Sequence, residues 1–184
     1  MKLKGLPKTE KLYLCFMKSK VLLLLFITVL LYSCRKEDEN NVQKIDQVVN
    51  IYLKDTSGKD LLNTNLSGAF TSVSAQDLNA DKALQSISGF SVKKDKDTVA
   101  YIDYAAGATR LLSDSVSATQ KKYRSDFYLN LSKIVNKVTV TDTDTLKIEY
   151  SWTPTLFQVS KLWYNNKLVF TKVDGQQNII KIVK

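Results

Sequence analysis

The chain closes on Leu156-Phe157-Gln158-Val159-Ser160-Lys161-Leu162-Trp163-Tyr164, Lys167-Leu168-Val169-Phe170-Thr171-Lys172-Val173 and Asn178-Ile179-Ile180-Lys181-Ile182-Val183. The three runs are rich in β-branched and aromatic residues, which fit a pleated, half-buried surface. Asn165-Asn166 separates the first two runs, and Asp174-Gly175 lies between the second and third. Asparagine and glycine accept the positive φ that tight turns between antiparallel strands require. The reading is a three-strand antiparallel meander.

Working upstream, Lys137 to Val140 and Thr145 to Tyr150 flank Thr141-Asp142-Thr143-Asp144, which reads as a turn. Thr145-Leu146-Lys147-Ile148-Glu149-Tyr150 alternates apolar and polar, so one face should be wet and Glu149 should lie on it. Phe127 to Leu131, Val99 to Tyr104, Ile87 to Val92 and Val48 to Leu53 are further strand candidates. About eight short strands, within a range of 7–9, suggest an all-β sandwich of two antiparallel sheets. Ala75 to Ser86 is the exception. Ser74 with Asp77 forms a capping box, and Leu78, Ala83 and Leu84 make a short apolar face, which predicts one short helix.

Among the 184 residues there is no histidine. That excludes a Ser-His-Asp triad, a Cys-His pair and any imidazole metal ligand. Lys plus Arg number 27 and Asp plus Glu 18, a net charge of +9. More than half of that excess sits in the first 34 residues, where six lysines meet one acid, Glu10. The remainder is an ordinary mixed surface with no nucleic-acid recognition module, so no nucleic-acid partner is expected.

Val21 to Tyr32 is an uncharged apolar run, preceded by Lys18 and Lys20. Spanning a bilayer takes about 20 apolar residues, so this run suits the apolar region of a secretory signal better than a permanent anchor. Leu31-Tyr32-Ser33-Cys34 follows at once. It resembles the lipobox of bacterial lipoproteins, matched here by Leu31, Ser33 and Cys34. The resemblance implies that Cys34 is lipidated at sulfur and becomes the mature amino terminus. Tyr32 is bulkier than the pattern prefers. Cys15, the other cysteine, lies beyond the apolar run, so a structural disulfide is not expected. Met17 also makes a compact signal if translation starts there.

Arg35-Lys36-Glu37-Asp38-Glu39 comes next. Such a run reads as a solvated tether. Lys36, Glu37, Asp38 and Glu39 also resemble the export signal of Bacteroidota surface lipoproteins. That resemblance implies the outer membrane, with display on the cell surface; the periplasmic face is the alternative. The expected organisation is a signal peptide over 1–33, the lipidated cysteine and charged tether over 34–44, and a β-sandwich over 45–184.

Within the last segment, Leu53-Lys54-Asp55-Thr56-Ser57-Gly58-Lys59-Asp60-Leu61-Leu62, Asp142-Thr143-Asp144-Thr145 and Trp163-Tyr164-Asn165-Asn166-Lys167-Leu168 resemble small uncharacterised Bacteroidota lipoproteins. The resemblance implies an immunoglobulin-like sandwich and brings no activity with it. Asn166 stands where that pattern has glycine.

Each candidate site has a plainer reading beside it. Asp55-Thr56-Ser57-Gly58 partly resembles the Asp-Thr-Gly of aspartic proteases, but those enzymes need a second carboxylate and a turn explains the residues. Asp77-Leu78-Asn79-Ala80-Asp81 has the opening spacing of a calcium loop. Lys82 and Ser88 stand where such a loop needs glycine and glutamate, so a helix surface or loop fits better. Asp95 with Asp97, and Asp142 with Asp144, read as solvated turn residues. No metal or other cofactor is expected. Trp152, Trp163 and Tyr164 are candidate glycan contacts, weighed against core packing. Thr98, Ser115 and Thr145 resemble acceptors of Bacteroidota O-glycosylation, with Ser115 in loop-like surroundings. The function expected is non-enzymatic: binding or structural support at the envelope, with a membrane, an envelope protein or a glycan as partner. The alternative is a carbohydrate-binding protein or a carboxylate-based glycan hydrolase.

Overall fold

The computed structural model describes residues 42–82 and 84–184. Its strands are β1 (Lys44–Asp46), β2 (Val49–Lys54), β3 (Ser72–Asp77), β4 (Gln85–Ser86), β5 (Phe90–Lys94), β6 (Ala100–Tyr104), β7 (Leu111–Ser117), β8 (Gln120–Val135), β9 (Val138–Trp152), β10 (Leu156–Tyr164), β11 (Lys167–Thr171) and β12 (Asn178–Val183). The larger sheet runs β1-β10-β9-β8-β3-β4, with β11 also on β10 and β7 on β8; the smaller runs β12-β2-β6-β5. The fold is all-β and both sheets are mixed. β1 lies parallel to β10 and β12 parallel to β2, where the sequence suggested antiparallel pairs throughout.

Alternation builds the core. Val49, Ile51 and Leu53 of β2, with Ala100, Ile102 and Tyr104 of β6, turn inward and are buried. They share one apolar cluster with Phe127, Leu129 and Leu131 of β8 and Leu146, Ile148 and Tyr150 of β9. The Tyr104 and Phe127 rings meet across it at 5.1 Å. Fully burying one such side chain contributes about 1.5–3 kcal/mol, so this shared layer dominates the stability.

The carboxy-terminal meander needs correcting. Asn165 (φ +46°) and Asn166 (φ +65°) do form the tight turn, and β10 pairs with β11 as read. The chain then crosses to the other sheet. A turn closes with Gln176 N–H on the Val173 carbonyl at 3.1 Å. Asn178 Nδ2 donates to Asp46 Oδ1 and the Val48 carbonyl, both at 2.9 Å, which sets β12 beside β2. A turn signal reports a reversal, not the edge that the next strand will join.

Three more expectations give way to cross-strand pairing. Ser74 to Asp77 is strand β3, and among the described residues no helix forms. Ala75 and Asp77 point inward, while Gln76 Oε1 accepts from Asn130 Nδ2 on β8 at 3.0 Å. Cross-strand partners override a local capping pattern. Thr141 to Asp144 is not a turn but the middle of β9, which pairs with β8 without interruption from Trp152 to Val138. Ser115 lies within edge strand β7 rather than in a loop.

The long β8–β9 ribbon gives the domain two ends. β1 begins beside Leu156 and hence near Trp152, where the described chain starts. At the other end the ribbon runs on to the Asn136-Lys137 turn, about 50 Å away at about 3.4 Å per residue. Lys184 ties the Lys54 end of the smaller sheet to this distal side, its N–H on the Lys54 carbonyl and its Nζ 2.5 Å from Asp142 Oδ2.

Lys137 holds a φ of +67° at the ribbon's turn. A left-handed conformation costs an L-residue about 1–2 kcal/mol, which glycine avoids while losing about 0.5–1 kcal/mol of chain entropy. Lys137→Gly is therefore expected to stabilise the domain by about 0.5–1 kcal/mol. Thermal unfolding should register a rise of about 2 °C. A fall in Tm would contradict this turn geometry.

Candidate functional site

A concavity lies on the outer face of the smaller sheet, at its distal end. Its placement follows from period two. Because Val49, Ile51 and Leu53 face the core, Asn50, Tyr52 and Lys54 face out. Ile180 and Ile182 likewise send Ile179, Lys181 and Val183 outward, and the parallel register sets Lys181 beside Tyr52. Tyr52, Lys54, Ile179, Lys181 and Val183, together with Asp95 and Val99, line a cleft of about 380 Å³.

Tyr52 is fixed on two sides. Its ring stacks on Tyr101 with centroids 5.4 Å apart, and its hydroxyl donates to Asp95 Oδ2 at 3.1 Å. Burial, and then that hydrogen bond and the nearby Asp95 charge, raise the phenol's pKa, so it remains a neutral donor. Asp95 is itself held by its turn. Its Oδ1 accepts the N–H groups of Asp97 and Val99, each at 2.9 Å. The turn after β2 has the same construction, Asp55 Oδ1 accepting from the N–H groups of Ser57 and Lys59 at 2.9 Å. Asp55 is thus a turn former, and its carboxyl sits below the usual range because Ser57 and Lys59 hydrogen-bond it.

The cleft offers a rigid aromatic face, apolar flanks, two lysines (Lys54 and Lys181) and one carboxylate already engaged by the backbone. Such a set can hold a ligand by ring contact and charge. Glycoside hydrolysis uses a pair of carboxyl groups, and Asp95 is the one acid in this lining.

Trp152, Trp163 and Tyr164 do not come together. Tyr164 is buried and its hydroxyl bonds Asp144. Trp163 is on the outer face of the larger sheet, with Lys147 Nζ 4.7 Å from its ring centroid. Trp152 packs at the edge of the core near the proximal end, with Lys121 Nζ 5.1 Å from its ring. Glu149 sits on the outward face of β9, accepting from Ser160 Oγ at 2.9 Å. Asp77 is buried at the end of β3, receiving the N–H groups of Asn79 (2.9 Å) and Thr109 (2.6 Å). Among the described residues no group of three or more Asp, Glu or Cys side chains gathers as a metal site. Leu31, Ser33, Cys34, Lys36, Glu37, Asp38 and Glu39 lie outside the described residues.

Two groups escaped the sequence reading. Tyr52 and Tyr101 are in strands it recognised, and alternation places both outward, but only the β2–β6 pairing brings them together. Asp144 has the sequence context of a solvated turn residue but is 4% exposed. It accepts from Tyr164 Oη, Lys184 Nζ and Asn165 Nδ2, the last at 2.7 Å. No family model, curated protein or solved structure matches the chain.

Proposed function

We propose that the protein is a lipid-anchored, non-catalytic binding module of a bacterial envelope, held at the outer membrane through Cys34 and displayed on the cell surface. The carrying observation is the separation of its two ends. The described chain begins beside Leu156, while the Tyr52 cleft and the ribbon turn lie at the opposite end. A tether joined to the first end leaves the second facing away from the membrane. The stacked Tyr52–Tyr101 pair favours a glycan as one class of partner, since flat rings pack on sugar C–H faces. Two sheets around one core support an immunoglobulin-like sandwich, modified by its two parallel pairs.

Display is tested with Lys137→Cys. A mature chain starting at Cys34, its sulfur in thioether linkage, has no free thiol, because Cys15 is removed with the signal. A membrane-impermeant maleimide is expected to label Lys137→Cys on intact cells. Labelling only after the outer membrane is opened would place the domain on the periplasmic face.

A further inference from the structure

We propose that the free edge of β9, from Val138 to Thr143, is a docking site for an extended strand of a partner protein, which adds to the larger sheet by main-chain hydrogen bonds. Both neighbours of the β8–β9 ribbon stop short of its tip. On one side β10 pairs with β9 only as far as Leu146, opposite Tyr164. On the other side β3 pairs with β8 only as far as Ser132, opposite Ser72. Beyond those points, among the described residues, the two strands pair only with each other.

The direction of the unpaired groups follows from two hydrogen bonds. Thr145 N–H donates to Asn165 Oδ1 at 2.8 Å, and its carbonyl accepts from Asn165 N–H at 2.9 Å, so its backbone points away from β8. In an antiparallel ladder that orientation recurs at every second residue. Thr139, Thr141 and Thr143 therefore aim N–H and C=O groups at the open edge. The Ser132 carbonyl agrees. It accepts Thr71 N–H at 2.8 Å on the far side of β8, so its partner Thr141 must point the other way.

The side chains fit a strand too. Val138 and Val140, 62% and 45% exposed, share the core-facing side with Val135, while Thr139, Thr141 and Thr143 occupy the other side. Apart from Asp142 the segment is β-branched; it is free of proline and glycine and long enough for three pairs of edge bonds. Natural edges of this kind are covered or blunted by charge. Here Asp142 is taken up by Lys184 at 2.5 Å; Lys133, its Nζ 5.7 Å from the Phe70 ring centroid, and Lys137 in the turn have no carboxylate partner among the described residues. Positive charge at the tip suits an incoming segment that alternates apolar and hydroxyl residues and carries an acid beside the turn.

Other occupants fit less well, on the reading that Cys34 is lipidated. Between Cys34 and Val42 an extended tether reaches at most about 30 Å, short of a ribbon of about 50 Å. A second copy joined antiparallel through this edge would point its amino terminus the opposite way, so two copies in one membrane cannot pair here.

The test uses the mature lipidated protein in detergent and, as probe, a fluorescent blocked peptide of alternating valine and threonine ending in glutamate. Saturable binding is expected, with slowed hydrogen exchange at Thr139, Thr141 and Thr143. Thr141→Pro removes an outward N–H that β8 does not use and should weaken binding at least tenfold with Tm nearly unchanged. Val138→Lys with Val140→Lys should do the same without touching the backbone. Equal binding by wild type and these variants, or no slowing of those three amides, overturns the proposal. Concentration-dependent dimers lost in Thr141→Pro would overturn it as well, by making a second copy the occupant. Failure of lipidation alone leaves the edge result standing and is read separately from the lipid on Cys34.

Discussion

Asp144→Ala is expected to destabilise the domain by about 3 kcal/mol, because the substitution leaves buried polar partners without an acceptor. Tyr164 Oη, Asn165 Nδ2 and Lys184 Nζ all converge on this carboxylate, which is 4% exposed. Lys184 keeps Asp142 as a second partner, but the buried Tyr164 hydroxyl has no other among the described residues. Total stability for a domain is about 5–15 kcal/mol, so the loss is a large share, and Tm should fall by about 10 °C. Equilibrium urea unfolding checks it. A change under about 0.5 kcal/mol, the level of an ordinary surface substitution, would mean that the cluster does not hold the two sheets' distal ends together.

The same cluster sets an acid limit. Burial would raise the Asp144 pKa, but the hydrogen bonds from Lys184, Tyr164 and Asn165 and the Lys184 charge outweigh it, so the folded value lies below the ordinary one. A depressed carboxylate contributes stability that is present above the unfolded value of about 4 and lost as pH falls through the folded value. The wild type should therefore lose stability below about pH 4, and Asp144→Asn should lose less over that window.

The second large effect concerns the anchor. On the proposed lipid anchoring, Cys34→Ala removes the sulfur that carries the acyl chains, and the protein should leave the membrane fraction entirely. Each buried methylene is worth about 0.8 kcal/mol, and two or more acyl chains give stable attachment, so partial release is not expected. The domain itself should fold as before, since Cys34 lies outside it. Persistence of Cys34→Ala in washed membranes would require another mode of attachment.

What could be read from the residues follows a physical line. Period-two alternation in Val49-Asn50-Ile51-Tyr52-Leu53 and in Leu146 to Tyr150 fixed strands and faces, since a one-residue error would expose every apolar side chain. Asn165-Asn166 announced its turn through positive φ. Long-range choices were not legible. Nothing local tells β12 to lie beside β2 rather than β11. Nothing local distinguishes Asp144, buried under Lys184, from the solvated aspartates of a loop. The Tyr52–Tyr101 platform depends on a register between strands some fifty residues apart, so its members were visible and their meeting was not.

Mass spectrometry of the amino-terminal tryptic peptide of the mature protein tests the central claim most directly. Trypsin should release Cys34-Arg35 bearing diacylglycerol on sulfur. An unmodified Cys34, or mature protein still carrying residues upstream of it, would contradict lipid anchoring at this position.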